Sequence, residues 1–537
     1  MASLTSTLWI IPTVFLFYKV LTFGRREKGL PPGPPTIPVL GNAHLIPAEG
    51  LHIKFKEWAD QYGSIYSLKI GRTTMVVLSD REAVFELLTR RGAYYNNRPK
   101  DKQVDVAMGH ENTALMAEGP LWRAERKIVS TYLSPKNLDS VLAPIQVAEI
   151  SQLMLDLLVK PECFRDCVKR TTASISTITL FGQRAPDLND YWGYAVYLGI
   201  DEVNKSLAPG SYLPVDHIPI LKFVPDRWNK PLQVAKQSYI TMSSIWAEGR
   251  GRVEERRRQA GTRVSMMDKL LDGDLKSDIP LTYSQLNNFF GAVHMGASDT
   301  TSGHTLASIM FLAKYPEYQD KARAELDQVC GTERMPQWSD FRDLPYINCI
   351  VKEGLRLRAA LPGGIGHCAK QDYWYKGMFI PKDSMIMVPP SAINFDERYV
   401  QDPKTYDPDR HLHIAHKLAP ELAASSHFED RDHYTYGVGR RICPGFHLAE
   451  RVQWRIMAQL LWAFRIEQVE ELNTGYEMWD EGFLNYVKDF KVRFVPVSKT
   501  HAEMGEYKMG RISDRNYMIT ESEALERKSS VAEKNKD

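Results

Sequence analysis

The sequence lacks a strong net charge. Its 537 residues include 68 lysines and arginines against 66 aspartates and glutamates, which gives a formal net charge of +2 at pH 7. This balance argues against nucleic acid as a partner, because dedicated nucleic-acid-binding proteins carry a basic excess. The sequence also has no internal repeat and no clear linker in its middle. These absences predict one large domain with terminal tails.

Cysteine is scarce and scattered. The six residues are Cys163, Cys167, Cys330, Cys349, Cys368 and Cys443. In a chain of this length, such spacing does not indicate a disulfide framework. Cys163 and Cys167 would lie one helical turn apart, but no CxxC pair or neighbouring histidine accompanies them. A zinc site at these two residues is therefore disfavoured.

A long apolar run opens the chain. Residues 4–23 are mostly apolar, and about 20 such residues span a ~30 Å hydrocarbon core as a helix. Arg25, Arg26 and Lys28 follow the run, and a basic flank of this kind stays in the cytosol. A cleaved signal peptide is the alternative, but it needs basic residues before the run. We predict a transmembrane anchor at 1–23 and a basic, proline-rich linker at 24–36.

The next segments give the first secondary-structure signals. Residues 64–70 and 74–79 have β-like patterns on either side of Gly71-Arg72, which predicts a hairpin. Most of the chain beyond it is helical in pattern. The clearest helix starts at Thr282, where Thr282 and Gln285 form a capping box, and stops before Pro316. A helix of about 33 residues is ~48 Å long, so its centre should lie in the core.

The most informative stretch surrounds Cys443. Residues 436–447 form a glycine-rich loop, and an apolar helix is predicted over 448–464. The unpaired N–H groups at a helix N-terminus stabilise a thiolate. A buried, inert thiol is the ordinary alternative. Since no histidine base with a partner motif accompanies Cys443, a metal ligand is favoured over a nucleophile.

The spacing of this loop resembles a known signature. Tyr436, Gly439, Arg441, Cys443 and Gly445 match the haem-binding pattern of the cytochrome P-450 superfamily. The superfamily usually has phenylalanine where this sequence has Tyr436. An aromatic ring over the sulfur is kept, but the additional hydroxyl of tyrosine needs a hydrogen-bond partner.

Further motifs resemble the same superfamily in order and spacing. Residues 296–301 resemble its oxygen-activation motif, with Ala297 in place of the second glycine. Alone, this segment is equally consistent with a polar helix face. Glu353 and Arg356 share one helix face and, with Arg410, resemble the buried triad that supports folding and haem retention. Without the resemblance, such a pair is usually a surface feature.

The resemblance covers roughly residues 30–498 and implies the cytochrome P-450 fold. This fold is mainly α with small β-sheets, here one haem domain at 37–500 behind a membrane anchor helix. The implied residues are Cys443 as axial ligand of the haem b iron, Trp122, Arg126, His367 and Arg441 as contacts to the haem propionates, and Asp299 and Thr300 as the catalytic pair. The pair would deliver protons during oxygen activation.

The function that the resemblance implies is a haem-thiolate monooxygenase. It would insert one atom of O2 into a small apolar or aromatic substrate, as fungal members do with polyketide or aromatic intermediates. The sequence has no flavin or nicotinamide domain, so electrons from NADPH would come through a separate cytochrome P-450 reductase. The implied location is the endoplasmic reticulum membrane, with one span and a cytosolic catalytic domain. The basic residues expected to face the reductase are Arg123, Lys127, Arg440 and Arg451.

Two other functions remain open at this point. One is a haem-thiolate isomerase or dehydratase that acts on a peroxide without a reductase, although such members tend to lose the acid–alcohol pair. The other is a non-enzymatic haem-binding membrane protein. The charged residues 501–537 are predicted to be a mobile tail. The substrate is expected to contact segments 104–113, 198–213, 291–297, 360–365 and 482–484.

Overall fold

The computed structural model describes residues 14–15, 17–47, 49–207, 215–480, 482 and 484–498. Most of the predicted membrane anchor and all of the predicted C-terminal tail lie outside these residues. At the described end of the anchor, residues 14–15 and 17–22 are helical. The side chains of Phe15, Phe17 and Tyr18 there are exposed.

Helices dominate the described residues, as the resemblance implied. Those of ten or more residues are α1 (Leu51–Tyr62), α2 (Pro120–Tyr132), α3 (Ala143–Val159), α4 (Phe164–Phe181), α5 (Tyr191–Leu207), α6 (Lys230–Ala260), α7 (Tyr283–Lys314), α8 (Pro316–Val329), α9 (Pro345–Leu357) and α10 (Phe446–Ala463). Shorter α-helices cover Arg81–Val84, Gly92–Tyr95, Lys102–Met108, Pro135–Asn137, Met266–Leu271, Pro390–Asn394 and Ala419–Ala423. Two π-helical turns, Phe85–Arg90 and Leu138–Leu142, continue short helices.

The described strands are short and form four small sheets. They are β1 (Ile65–Ile70), β2 (Thr73–Leu78), β3 (His367–Cys368), β4 (Tyr373–Tyr375), β5 (Met378–Ile380), β6 (Met385–Met387), β7 (Phe464–Gln468), β8 (Trp479–Asp480), β9 (Tyr486–Val487) and β10 (Val492–Pro496). The largest sheet has the order β1-β2-β6-β3, with β6 parallel to β2. The pairs β7–β10, β4–β5 and β8–β9 are antiparallel. The predicted hairpin is confirmed as β1–β2, with Ile70 opposite Thr73.

Helix α7 lies in the core and packs against α4, α5 and α6. Its predicted capping box is present: Thr282 Oγ1 accepts the N–H of Gln285 at 3.2 Å, and Gln285 Oε1 accepts the N–H of Thr282 at 3.0 Å. The helix ends at Lys314 because Pro316 begins α8. From residue 298 to 313 it is buried at every position except Thr300. The predicted length and position of this helix are confirmed.

The proline-rich segment, which the sequence predicted to be a spacer, lies against β1. The N–H of Ser67 donates to Pro32 O at 2.7 Å, and Arg26 Nη1 donates to Ser67 O at 2.8 Å. A Cβ atom at Gly33 would lie 2.0 Å from Ser67 O. The close approach requires glycine at position 33, and the segment is part of the surface of the sheet.

One helical stretch in the described residues is long and apolar enough to cross a membrane, Pro135–Val159. Within its most apolar window, 56% of the residues are buried inside the protein. Helix α3, which forms most of it, packs against α4 and α10. These contacts identify it as a core helix. The predicted anchor is a separate segment of the chain.

Candidate active site

The cysteine loop leads directly into α10, whose first helical residue is Phe446. The N–H of Cys443 donates to Tyr436 O at 2.8 Å and closes the loop. Burial raises the pKa of the Cys443 thiol, while the N–H groups of Gly445 and Phe446 and the charge of Arg126 act to lower it. A metal ion bound to such a thiol deprotonates it. The loop therefore presents sulfur in a setting suited to a thiolate ligand.

Glycine is required at one position of this loop. Gly437 and Gly439 have φ angles of +73° and +59°, a region that other residues rarely adopt. At Gly439 a Cβ atom would also lie 2.0 Å from Leu88 O. Position 439 therefore excludes a side chain both by its backbone angle and by contact.

The hydroxyl of Tyr436, the departure from the usual phenylalanine, has a partner. It donates to Gln453 Oε1 on α10 over a long distance of 3.4 Å. The ring of Tyr436 lies edge-on to Phe446, with centroids 6.2 Å apart. The hydroxyl is thus accommodated by a polar side chain of the following helix.

A cavity of about 310 Å³ lies between the cysteine loop and α7. Its volume is within the range of small-molecule and cofactor sites. The predicted site residues that line it are Cys443, Trp122, Arg126, His367, Arg441 and Thr300. Asp299 does not line it. The structure therefore brings together every predicted haem contact and one member of the predicted catalytic pair.

The charged side chains at this cavity are all arginines. In the described part of the chain they are Arg98, Arg126, Arg358 and Arg441, and no carboxylate lines the cavity. Arg441 donates through Nε to Asn96 O and through Nη2 to Met116 O, at 2.8 and 3.1 Å, but its Nη1 is buried without a partner. Burial, with the charges of Arg441 and Arg126, lowers the pKa of Arg98 to about 9. This excess of buried positive charge fits an anionic ligand.

Arg98 is a site residue that the sequence analysis missed. Its Nε donates to Ala114 O at 2.9 Å, and its Nη1 donates to Ile365 O and Gly366 O at 3.0 and 2.8 Å. It lies in a loop between Asn97 and Pro99. No periodicity marks such a position, so its burial becomes evident only when distant segments meet around it.

Trp122 and His367 lie beside the arginines. The guanidinium of Arg441 is 4.0 Å from the centroid of the Trp122 ring, a cation–π contact. His367 Nδ1 donates to Tyr95 O at 2.9 Å. Burial and the charge of Arg98 hold the pKa of His367 well below its usual range. In this neutral form Nε2 only accepts hydrogen bonds, so donation to a propionate requires the imidazolium form.

On the α7 side, the hydroxyl of Thr300 donates to Gly296 O at 2.8 Å. A Cβ atom at Gly296 would meet nothing within 4 Å, so space is open beside the helix. The carboxyl of Asp299 is buried, and its Oδ1 has no hydrogen-bond partner among the described residues. Burial raises the pKa of Asp299 to about 7, with Ser302 and Lys169 acting in the opposite direction. Asp299 is therefore close to half-protonated at neutral pH.

The predicted triad is present and has an additional member. Glu353 binds Arg356 Nε and Nη2 at 2.8 and 2.7 Å and Arg410 Nε at 3.1 Å. His411 Nε2 lies 2.9 Å from Glu353 Oε2. Burial opposes ionisation of Glu353, but Arg356 and His411 outweigh it and lower its pKa to about 2. Glu353 and Arg356 are buried, and Arg410 is partly exposed.

One of the basic residues expected to face a reductase is unavailable. Arg451 is buried, and its Nε binds Asp139 at 2.7 Å, so its inclusion was wrong. Lys127 and Arg123 are exposed, although each has an acidic neighbour within 4 Å. Arg440 is exposed.

The expected substrate segments contribute unequally to the cavity. Lining residues come from three of them: Thr113, then Ala292, Val293, Gly296 and Ala297, then Ala360, Leu361, Gly364 and Ile365. Residues 198–207, 482 and 484 do not line it, whereas 208–213 and 483 lie outside the described residues. These lining residues lie before α2, on α7 and after α9.

Comparison with known proteins identifies the family. The Cytochrome P450 family model matches residues 31–494. The chain belongs to the cytochrome P450 family. This cytochrome P450 is 37% identical over 487 residues to the cytochrome P450 monooxygenase atE of Aspergillus terreus, covering 89% of each chain. It is 37% identical over 499 residues to patH of Aspergillus clavatus (91% of this chain, 94% of the relative) and 36% identical over 526 residues to macC of Penicillium terrestre (94% and 96%).

Family membership makes this cytochrome P450 an oxidoreductase of the monooxygenase type, with haem as the implied cofactor. The residues present fit that group. Cys443 offers a sulfur ligand at one wall, the arginines offer partners for carboxylates, and Gly296 leaves the face of α7 open. The unpartnered Nη1 of Arg441 is a buried donor that a haem propionate would satisfy.

Proposed function

We propose that this cytochrome P450 is a haem-thiolate monooxygenase that oxidises a small, apolar or aromatic substrate in fungal secondary metabolism. The observation that carries the proposal is that Cys443 and Thr300 line one cavity, from the cysteine loop and from α7. The most similar fungal relatives described above are themselves named cytochrome P450 monooxygenases, which supports the reaction class. Their names do not state a substrate.

In this proposal the protein binds haem b at its iron and at its propionates. Cys443 Sγ would bind the haem iron, and Arg98, Arg126 and Arg441 would bind the propionates. Haem with a thiolate ligand supplies oxygen activation, because the sulfur donates electron density that favours O–O cleavage. The N–H groups of Gly445 and Phe446 keep the negative charge on the sulfur stabilised.

Thr300 and Asp299 have different parts in proton supply. The hydroxyl of Thr300 donates its hydrogen bond to Gly296 O. The Thr300 oxygen is therefore available to accept a hydrogen bond from water in the cavity. Asp299, with a pKa of about 7, both holds and releases a proton at neutral pH. Because Asp299 does not line the cavity, its proton reaches Thr300 through water.

The substrate is held mainly by apolar contacts. Apart from Arg358 and the three arginines that we assign to haem, the walls near α7 and after α9 include the apolar residues Ala292, Val293, Ala297, Ala360, Leu361, Ile365 and Val388. Such a surface selects by shape and size. It provides no carboxylate that would select a cationic substrate.

Electrons come from NADPH through a separate cytochrome P450 reductase. The exposed Arg123 and Lys127 lie on α2, which also carries the cavity residues Trp122 and Arg126, and the exposed Arg440 lies in the cysteine loop. These three residues provide positive charge for docking. The proposed location is the endoplasmic reticulum membrane, with residues 1–23 as a single span and the catalytic domain in the cytosol. The exposed side chains of Val14, Phe15, Phe17 and Tyr18 support a lipid-facing segment.

The first experiment asks whether the haem has a thiolate ligand. The reduced, purified protein under carbon monoxide should show the red-shifted Soret band of thiolate-bound haem. A folded Cys443→Ser protein should lack it. With added reductase, substrate-dependent NADPH consumption is expected. Turnover of a peroxide without NADPH or reductase would instead indicate an isomerase or dehydratase.

Thr300→Ala should separate NADPH use from product formation. NADPH consumption continues, but product per NADPH falls about tenfold or more, and hydrogen peroxide is released, because proton delivery is a general acid–base function. Thr305→Ala is the matched control: Thr305 Oγ1 makes the same type of bond, to Thr301 O at 2.9 Å, but does not line the cavity. Unchanged coupling in Thr300→Ala would refute the role of this hydroxyl.

A further inference from the structure

The C-terminal end of α9 connects the buried triad to the rest of the site. An α-helix leaves its last four carbonyl groups without partners inside the helix. At the end of α9, the N–H of Arg358 donates to Gly354 O at 3.0 Å, and its Nη1 donates to Leu357 O at 2.9 Å. The two carbonyls between them, those of Leu355 and Arg356, are satisfied by side chains from distant segments.

Those side chains belong to Thr435 and Asn394. Thr435 Oγ1 donates to Leu355 O at 2.6 Å, and Asn394 Nδ2 donates to Arg356 O at 3.0 Å. Asn394 is completely buried at the end of the short helix Pro390–Asn394. Thr435 lines the cavity and directly precedes the cysteine loop. Two residues far apart in sequence thus cap one helix end.

Asn394 holds the segment before the loop as well as the helix. Its Oδ1 accepts the N–H of Tyr434 at 3.0 Å, and its Nδ2 lies 3.5 Å from Thr435 Oγ1. In return, Arg356 Nη1 donates to Asn394 O at 3.1 Å. The side-chain amide of Asn394 therefore contacts α9 through Nδ2 and the backbone of Tyr434 through Oδ1.

The backbone of residues 435–443 connects these contacts to the sulfur of Cys443. Thr435 is followed by Tyr436, and Tyr436 O accepts the N–H of Cys443 at 2.8 Å. Arg356, at the other end of the connection, is fixed by its two hydrogen bonds to Glu353. Neither the amide of Asn394 nor the hydroxyl of Thr435 makes a hydrogen bond to Cys443 itself.

We propose that Asn394 and Thr435 are positioning residues that fix the Cys443 sulfur by capping α9. Their hydrogen bonds transmit the position of the triad helix to the start of the cysteine loop, so that the sulfur stays at the distance and angle that iron ligation needs. The inference rests on the proposed function, since it concerns a thiolate ligand. The inference predicts that variants of these two residues contain the usual amount of haem but hold the thiolate ligand less firmly.

The test uses isosteric changes. Thr435→Val removes the hydroxyl with little change in shape, and Thr435→Ser restores it. Asn394→Asp keeps the acceptor for Tyr434 but replaces the donor to Arg356 O. Ser391→Ala is the matched control, because Ser391 lies on the same short helix and its Oγ donates to Pro362 O at 2.8 Å, away from the cysteine loop. Holoproteins are compared for haem content and for the red-shifted carbon monoxide band.

We expect Thr435→Val and Asn394→Asp to contain haem at the parental level. In mild urea, their red-shifted band should convert to the shorter-wavelength band of haem without a thiolate about tenfold faster than in the parent. A tenfold change is the scale expected for the loss of one buried hydrogen bond. Thr435→Ser and Ser391→Ala should behave like the parent. If Asn394→Asp fails to fold, the Thr435→Val and Thr435→Ser pair decides the question.

Two results would overturn the inference alone. One is parental conversion in Thr435→Val and Asn394→Asp. The other is loss of haem and of the red-shifted band in equal proportion, which would indicate general instability. A parent protein without the red-shifted band would overturn the proposed function, and the inference with it.

Discussion

Burying the arginines around the candidate haem site costs free energy that contacts within the protein do not fully offset. Burial and the charges of Arg441 and Arg126 lower the pKa of Arg98, and burial with the charge of Arg126 lowers that of Arg441. Removing an unpaired charge from water costs several kcal/mol per ion even after relaxation. An anionic cofactor that pairs with these groups binds only the folded state. Cofactor binding should therefore contribute directly to folding stability.

At the residue scale, Gly439→Ala is expected to abolish haem incorporation. The substitution adds both the strain of a φ of +59° and a contact of 2.0 Å with Leu88 O, which is backbone and cannot move aside cheaply. Gly377→Ala is the matched control, with a φ of +78° but open space around its Cβ position. It should cost about 1 kcal/mol of unfolding free energy and leave haem content unchanged. Equal haem content in the two variants, measured by absorbance per protein, would contradict the role of the contact.

The site residues found from the sequence are those that belong to a local motif. Cys443 and Arg441 share one loop, and Trp122 and Arg126 share one helix face, so the resemblance of these local motifs to the family indicated them. Arg98 lies between segments brought together by the fold, and its sequence neighbours give no such signal. Asp299 was found by motif, but whether it lines the cavity depends on the rotation of α7 against α4, which the sequence does not reveal.

At the scale of elements, the same distinction separates α7 from the proline-rich segment. The start and end of α7 depend on Thr282, Gln285 and Pro316, all within or beside the helix, and both ends were predicted. The position of residues 31–35 depends on Ser67, more than 30 residues away, and it was not predicted. The proline content of the segment could not indicate this partner.

The triad gives a prediction at this scale. Glu353→Gln removes the charge between Arg356 and Arg410. The buried Arg356 then loses its ionic partner, and Arg410 keeps only Asp407, at 3.9 Å. We expect a loss of about 3–5 kcal/mol in the free energy of unfolding, the usual effect of breaking a buried ion pair, together with weaker haem retention. Urea unfolding of the holoprotein measures the first and haem transfer to an acceptor protein measures the second.

The matched control for this variant is Glu248→Gln. Glu248 binds Arg252 at 2.7 Å on the surface of α6, where both side chains are about half exposed. An exposed pair of this kind contributes at most about 1 kcal/mol. A cost for Glu353→Gln as small as that of the control would show that the triad is dispensable for stability.

At the scale of the whole molecule, buried carboxyl groups govern how stability depends on pH. Burial raises the pKa of Glu125 to about 8, that of Glu450 to about 8 and that of Asp299 to about 7. Each group binds a proton in the folded state over a pH range in which the unfolded chain has released it. Stability therefore falls as pH rises through that range. Glu353, with a pKa of about 2, has the opposite effect, and its contribution is lost in acid as pH falls below its ordinary pKa.

Glu125→Gln isolates this effect in one group. Neither carboxyl oxygen of Glu125 makes a hydrogen bond of normal geometry in the described residues, so the amide replaces a group that burial already keeps neutral at low pH. The folded pKa of about 8 exceeds the ordinary value of 4.5, so the parent loses stability between those two pH values, by at most about 5 kcal/mol. The variant has no such proton to lose. Its unfolding free energy relative to the parent should therefore be higher at pH 9 than at pH 5 in urea titrations, whereas the exposed control Glu57→Gln should show no such difference. A difference that does not change with pH would mean that Glu125 is ionised in the folded protein. A cation would then have to balance its charge, or water would have to solvate it.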